Sequence, residues 1–233
     1  MTQSAKNLLW DIARNQEPQD VFDKLKKGKN VQNQYKKIVQ HQINLGIKDM
    51  HLPEPWNGHI SDAKILFISS NPSIDPKEDF PTKNWSKTDV VNFFDNRFVN
   101  SAKGSVSKFW KGIAKYTSWI YPEDTKEMSK LAILDKYVAM TEVVHCKSKN
   151  EIGIKKCRDL ELPFLSQILE EFNGEIVIFV GKFAKESYEK NKNLFIKTSH
   201  KCKIAEIYHP NARGLTDKKR KKDLLNQLRK DFL

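Results

Sequence analysis

The sequence predicts an α/β fold: a three-layer α/β/α domain built on a central four-stranded, mainly parallel sheet, preceded by a helical N-terminal region. Three observations carry this prediction. The runs KILFIS (64–69) and EIVIFV (175–180) are almost continuously apolar, as strands buried on both faces are. Between such runs lie longer stretches of helical period, the alternation expected when covering helices join parallel strands. The first sixty residues, by contrast, carry helical period alone.

Taken in order, Leu8, Leu9 and Ile12, then Val21, Phe22 and Leu25, then Tyr35, Ile38, Val39 and Ile43 recur at three-to-four spacing and predict three short helices. Pro53 and Pro55 cannot continue a helix, so HLPEPWNG (51–58) is extended, and a boundary near Gly58 divides a helical region, 1–57, from a domain, 58–233. Four strands are expected at 64–69, 137–144, 175–180 and 202–209. Helices are expected at 108–118, 156–172, 182–190 and 216–232. The stretch 74–104 has no clear pattern and is too long for an ordinary connection, which predicts a functional loop or lid.

The composition suits a globular chain, with 39% hydrophobic residues, 13 Phe and 5 Trp to bury. A net charge of +12 exceeds what solubility needs and points to a polyanionic partner, nucleic acid first, although a generally lysine-rich proteome gives the same excess. Much of it is terminal: residues 197–233 hold eleven Lys or Arg against four Asp or Glu. Three cysteines without a CxxC pair suit a reducing cytoplasm, and no bridge is expected. Residues 1–10 lack a signal-type apolar core and no run approaches the roughly 20 apolar residues of a membrane span. The expectation from these features is a soluble, cytoplasmic protein with nucleic acid as its leading partner and no membrane; a monomer without cofactor is expected.

In open α/β sheets ligands bind beyond the carboxyl ends of the strands. Here those ends carry SSNPS (69–73), TEVVHCK (141–147), VGKFA (180–184) and YHPNARG (208–214). Each alone reads equally as a structural turn, since Asn, Pro and Gly are common there. Their order and spacing, over about residues 56–214, resemble the uracil-DNA glycosylase superfamily. The NPS motif is similar to that of the mismatch-specific uracil/thymine glycosylases, and the second half to that of the iron–sulfur uracil glycosylases.

The resemblance implies that Asn71 positions the hydrolytic water and that His209 stabilises charge on the departing base. It implies an aromatic platform for the flipped base soon after the first motif, with Phe80 and then Trp85 as candidates. A wedge loop after His209 would enter the minor groove, offering Arg213 or Leu215. Ser70, Ser73, Lys182 and Asn211 would contact DNA, with Lys218, Lys219 and Arg220 of the basic tail on phosphate. That tail also places Leu224, Leu225, Leu228 and Phe232 at helical spacing, so packing explains its apolar stripe and a solvated face would explain its charge.

Two departures bear on chemistry. The iron–sulfur relatives need four cysteines, whereas only Cys146 and Cys157 match, so no metal cluster is expected and both are read as packed thiols. Where uracil enzymes place an asparagine after the second strand's threonine, this chain has Glu142. A carboxyl group suits the cytosine edge, accepting from N4 and, when protonated, donating to N3. That connects with superfamily members thought to excise glucosylated hydroxymethylcytosine in phage defence. Alternatively Glu142 pairs with a lysine away from the pocket, and the chain is a plain uracil or mismatch glycosylase. No lysine occupies a position that makes a Schiff base, so the expected reaction is monofunctional hydrolysis. A non-catalytic binder of modified or damaged DNA is the rival from another class. A nucleotide-binding enzyme is disfavoured because GxGxxG and GxxxxGK[ST] are both absent.

Overall fold

The computed structural model describes residues 1–100, 106–195 and 201–230. Its centre is a sheet of four strands, β1 (Ile65–Ser69), β2 (Val138–Glu142), β3 (Ile176–Val180) and β4 (Lys203–Ile207), in the order β2-β1-β3-β4 with every pair parallel. β1, β2 and β3 are buried along their whole length, which is why β1 and β3 read as apolar runs without alternation.

Alternate strand residues feed two separate apolar layers. Leu66, Ile68, Ala139, Val177 and Phe179 face one layer; Ile65, Phe67, Val138, Met140, Ile176 and Ile178 face the other. The first layer is closed by α1 (Gln3–Ala13), α2 (Gln16–Lys26), α3 (Lys36–Asn44), α4 (Lys87–Asp95), α9 (Ile154–Glu171) and α10 (Gly181–Lys190). The second is closed by α6 (Lys108–Ile120), α8 (Lys130–Tyr137) and the basic tail helix α11 (Asp217–Lys230), with α5 (Arg97–Asn100) and α7 (Pro122–Thr125) as short turns at its margin. Leu9, Ile12, Phe22, Tyr35 and Ile38 of the first three helices belong to the same apolar cluster as β1 and α9. The sequence-based helices therefore appear within a few residues of their expected ends; the final residues of the 216–232 prediction, from 231, lie outside the described residues.

Two expectations need correction. The 74–104 stretch is not one loop: α4 and α5 occupy its second half, and residues 101–104 lie outside the described residues. Ser86 caps α4 by accepting the Asp89 N–H, and Val90, Val91 and Phe94 bury its inner face. Residue 137 ends α8 rather than opening β2, because Tyr137 packs in the second layer with its helix.

β2 would be an open edge, but the proline-bearing segment runs antiparallel along it. Asn57 exchanges both backbone hydrogen bonds with Met140, the Glu54 N–H donates to the His145 carbonyl and Thr141 Oγ1 donates to the Pro55 carbonyl. This pairing carries Glu54 to the carboxyl end of the sheet.

Candidate active site

Parallel pairing brings the segments after β1 and β2 together. Ser69 stands opposite Glu142, and the zipper continues past the strands, the Val143, Val144 and Ser148 N–H groups donating to the carbonyls of Ser69, Ser70 and Pro72. Asn71 lies in this zipper, half-buried. Its Nδ2 donates to Pro72 O at 3.1 Å and Ser148 Oγ at 3.0 Å, with the carbonyls of Cys146 and Ser148 at 3.4 Å. Carbonyls accept only, so this ring of oxygens fixes which end of the amide is nitrogen. Oδ1 takes no hydrogen bond among the described residues and remains an acceptor for a water proton.

Glu142 is buried at the end of β2. Its Oε1 accepts from Ser69 Oγ at 3.5 Å, and Oε2, also buried, has no partner among the described residues. Burial pushes the carboxyl pKa well above the usual range and the nearby Glu54 charge pushes it further, against the opposing pull of Lys147 and the Ser69 bond. It forms no ion pair among the described residues, so the lysine-paired alternative does not describe it. The net effect favours the neutral acid.

The lysine next to it serves other carboxylates. Lys147 is buried, its ammonium 3.1 Å from Glu54 Oε2 and 3.2 Å from Glu78 Oε2. Arg97 pairs with the second oxygen of Glu78, and Asn57 donates to Glu54 at 2.6 Å. Burial alone would raise the Glu54 carboxyl, but Lys147, Arg97 and the Asn57 bond together hold it below the usual range. Sequence reasoning missed Glu54, Glu78, Lys147 and Ser148. TEVVHCKS was read for its acid and its cysteine, and a buried lysine runs against that residue's habit.

This cluster also overturns one aromatic platform. Phe80 is 3% exposed, stacked on His51 at 5.1 Å, edged by Phe93 and Phe94, with the Lys147 ammonium 3.6 Å from its ring centroid. It is a core ring gripping a cation and presents no free face for a base. Trp85 packs its edge on Phe93 and lines a surface groove with Asn84, Asp89 and Asn92. Among the described residues no hydrogen bond or ring contact joins it to Asn71 or Glu142.

His209 follows β4. Its Nδ1 accepts the Asn211 N–H at 3.2 Å, which leaves the proton of the neutral ring on Nε2. Partial burial, with Phe109 tilted against the ring at 5.2 Å, lowers its pKa; Arg220 adds to that and Glu151 opposes it. The histidine is thus a neutral Nε2–H donor. Arg220 was expected on DNA phosphate but is 8% exposed and turned inward, donating to Tyr116 Oη and to the carbonyls of His209, Pro210 and Ala212. Three carbonyls at a turn demand a donor, and a guanidinium supplies five.

Asn211, Arg213, Lys218 and Lys219 are exposed on the loop and on the first turn of α11, Leu215 is half-buried, and Lys182 is exposed beside its partner Glu186. Ser70 is half-buried and Ser73 exposed beside Asn71. A cleft of about 590 Å³ flanks His209, walled by Tyr116, Lys182, Glu206, Tyr208 and Gln227.

Away from the site, Cys157 Sγ donates to the Gln34 carbonyl at 3.4 Å, and burial pushes the Cys146 thiol well up and that of Cys157 up to about 12. Among the described residues no set of three or more His, Cys, Asp or Glu is arranged to hold a metal ion, and no helix is long and apolar enough to cross a membrane.

No curated protein matches this chain. The family model of the uracil DNA glycosylase superfamily matches residues 55–233, the whole sheet with Asn71, Glu142 and His209 at its carboxyl edge. The chain therefore belongs to the uracil DNA glycosylase superfamily.

Proposed function

We propose that the chain is a monofunctional DNA glycosylase that flips a pyrimidine with a cytosine-type edge out of DNA and hydrolyses its N-glycosidic bond. Family membership supports glycosylase-type activity in general. The observation that carries the finer reading is Glu142, a buried neutral acid with an unpartnered Oε2 in the zipper that holds Asn71. Cytosine offers an acceptor at N3 and a donor at N4, and a neutral carboxyl group supplies the complementary donor and acceptor.

In this reading Asn71 Oδ1 orients a water whose oxygen bonds to C1′ as the C1′–N1 bond breaks and its electron pair leaves with the base. His209 Nε2–H donates to the base O2, where that charge gathers; the water's surplus proton passes to solvent. Arg213 or Leu215 fills the vacated stack, and the lysines of α11 hold phosphate. The substrate in this reading is a cytosine carrying a modification, as in the DNA of an invading phage; the N3 and N4 edge itself is common to plain and modified cytosine.

The same acid with its roles exchanged also fits N3–H and O4 of uracil, so the test must name the base. Free-base release would be measured from duplex and single-stranded DNAs bearing uracil, thymine mismatches, and plain, hydroxymethylated or glucosylated cytosine, beside Asn71→Ala. Release of a cytosine-type base, falling by roughly 10²–10³-fold in the variant, is expected. Release of uracil alone would reverse the specificity. Silence across the panel with DNA binding intact would replace catalysis by binding.

A further inference from the structure

The first three helices lie before the stretch that matches the family, yet α3 is built into the site. Gln42 Nε2 donates to the Lys147 carbonyl at 3.1 Å, the Lys149 N–H donates to His41 Nε2 at 3.3 Å, and Tyr35 Oη donates to Glu161 at 2.7 Å. Gly153 seals the fit: at φ +87° a Cβ there would come 2.7 Å from the Ile38 nitrogen, so the 149–153 loop rests directly on the α3 backbone. Asn150 and Glu151, at φ 54° and 57°, take left-handed conformations that side chains disfavour, held by this contact on one side and the Asn71 zipper on the other.

A groove of about 460 Å³ separates α3 from the head of α9, lined by Asn33, Lys36, Lys37, Gln40, His41 and Lys156 among others. Lys37, Lys149, Lys155 and Lys156 are exposed and Lys36 half-exposed, and none of the five is in an ion pair among the described residues. Their charge is felt locally, because Lys149, after burial, is the second cause of the lowered His41 pKa. The groove adjoins the active site through the same loop: Ile152 lines it, while Glu151 lies near enough to His209 to act on that imidazole.

We infer that this groove is a second DNA-backbone contact, placed on the α3 side of the active site as the basic loop and α11 are placed on the other, so that the N-terminal helices lengthen the duplex track. Ammonium groups from α3 (Lys36, Lys37) and from α9 (Lys156), with amide side chains among the lining, match phosphate oxygens, which are read without regard to sequence. Rigid seating matters here, since a phosphate held by α3 is then in fixed register with Asn71. The inference rests on the glycosylase reading only in taking DNA as the ligand.

The test is binding of a 30-base-pair duplex (about three turns, a span chosen to cover both sides of the site) carrying a tetrahydrofuran abasic-site analogue, followed by anisotropy at rising KCl. Lys36→Ala/Lys37→Ala/Lys156→Ala is compared with wild type and with Lys126→Ala/Lys130→Ala/Lys136→Ala, exposed lysines on the chain leading into the amino end of β2. Each lost phosphate contact flattens the slope of log K against log salt by about 0.9, so the groove variant should lose about 2 to 3 from it with thermal stability unchanged. A slope equal to that of wild type, or equal losses in both triple variants, would overturn the inference and leave the glycosylase reading standing. Absence of DNA binding by the wild-type protein would overturn both.

Discussion

Replacing Glu142 by Gln and by Ala separates an acid that works neutral from one that works charged. Ser69 donates to Oε1, so the proton of the neutral acid sits on the unpartnered Oε2. Gln presents an NH₂ where the neutral acid has O–H and keeps the carbonyl oxygen, so Glu142→Gln retains the donor and acceptor offered to N3 and N4. Ala offers neither. A bidentate base contact is worth about 1–3 kcal/mol, roughly 5- to 150-fold in kcat/KM, and that is the deficit expected of Glu142→Ala. Glu142→Gln should stay within about threefold of wild type at neutral pH, well inside that range. The two diverge as pH rises through the raised Glu142 value, where ionisation turns a donor into an acceptor facing N3, while Gln does not titrate. The assay is single-turnover base release between about pH 6 and pH 9.5, under enzyme excess so that product release is silent. An inactive Glu142→Gln at neutral pH, or a wild-type rate that climbs with alkali in step with Glu142 ionisation, would refute the neutral acid.

The same raised pKa bears on stability: the folded state holds the proton more tightly than the unfolded chain, so stability is greatest below the ordinary carboxylate range and is lost as pH rises toward the folded value. Urea midpoints of wild type and Glu142→Gln should therefore separate between about pH 5 and pH 8 in favour of the variant; a constant difference would remove the claim. Lys147→Met strands the buried Glu54 carboxylate, while Glu78 keeps Arg97, and should destabilise the fold by about 3–5 kcal/mol, with adding Glu54→Gln recovering part of it; thermal melts showing simple additivity would deny the network. Glu54→Gln alone removes a charge that raises the Glu142 pKa, so the fall in rate on Glu142 ionisation should move to lower pH, and an unmoved profile would uncouple the two acids. Gly112→Ala sets a Cβ 2.5 Å from Pro210 Cβ, an overpacking of about 1–3 kcal/mol that pushes on the His209 turn; base release should fall more than stability does, and the reverse ranking would make Gly112 a packing residue only.

β1 and β3 were legible because burial on both faces writes itself as an unbroken apolar run, and most helices because one-sided burial writes itself as a period, whereas α8 was not foreseen. α4 escaped although Ser86 and Asp89 stand at capping spacing before Val90, Val91 and Phe94; the preceding proline-rich residues masked its start. Asn71, Glu142 and His209 could be found because a parallel sheet forces everything after its strands to one edge. Phe80 could not be judged, since whether an aromatic ring faces a ligand or a lysine depends on partners far along the chain. Lys147 and Glu54 are 93 residues apart in sequence, and neither carries a local pattern that announces the other.

That hidden pair changes what Glu142 means. Three buried or half-buried acids, Glu54, Glu78 and Glu142, share a neighbourhood with two cations, Lys147 and Arg97, and the ion pairs assign both cations to the first two acids. A third negative charge there would have no counter-ion and little solvent, so Glu142 is left neutral by the arithmetic of the cluster as much as by its own burial. The substitution read from the sequence as asparagine to acid is, in its setting, asparagine to a neutral donor–acceptor of nearly the same shape. What differs from an amide is that the proton on Oε2 can be lost, so on the proposed reading the edge offered to the base is conditional on charges at Glu54 and Lys147. Specificity would then be a property of the cluster, and variants at Glu54 and Lys147 should alter it as surely as variants at Glu142.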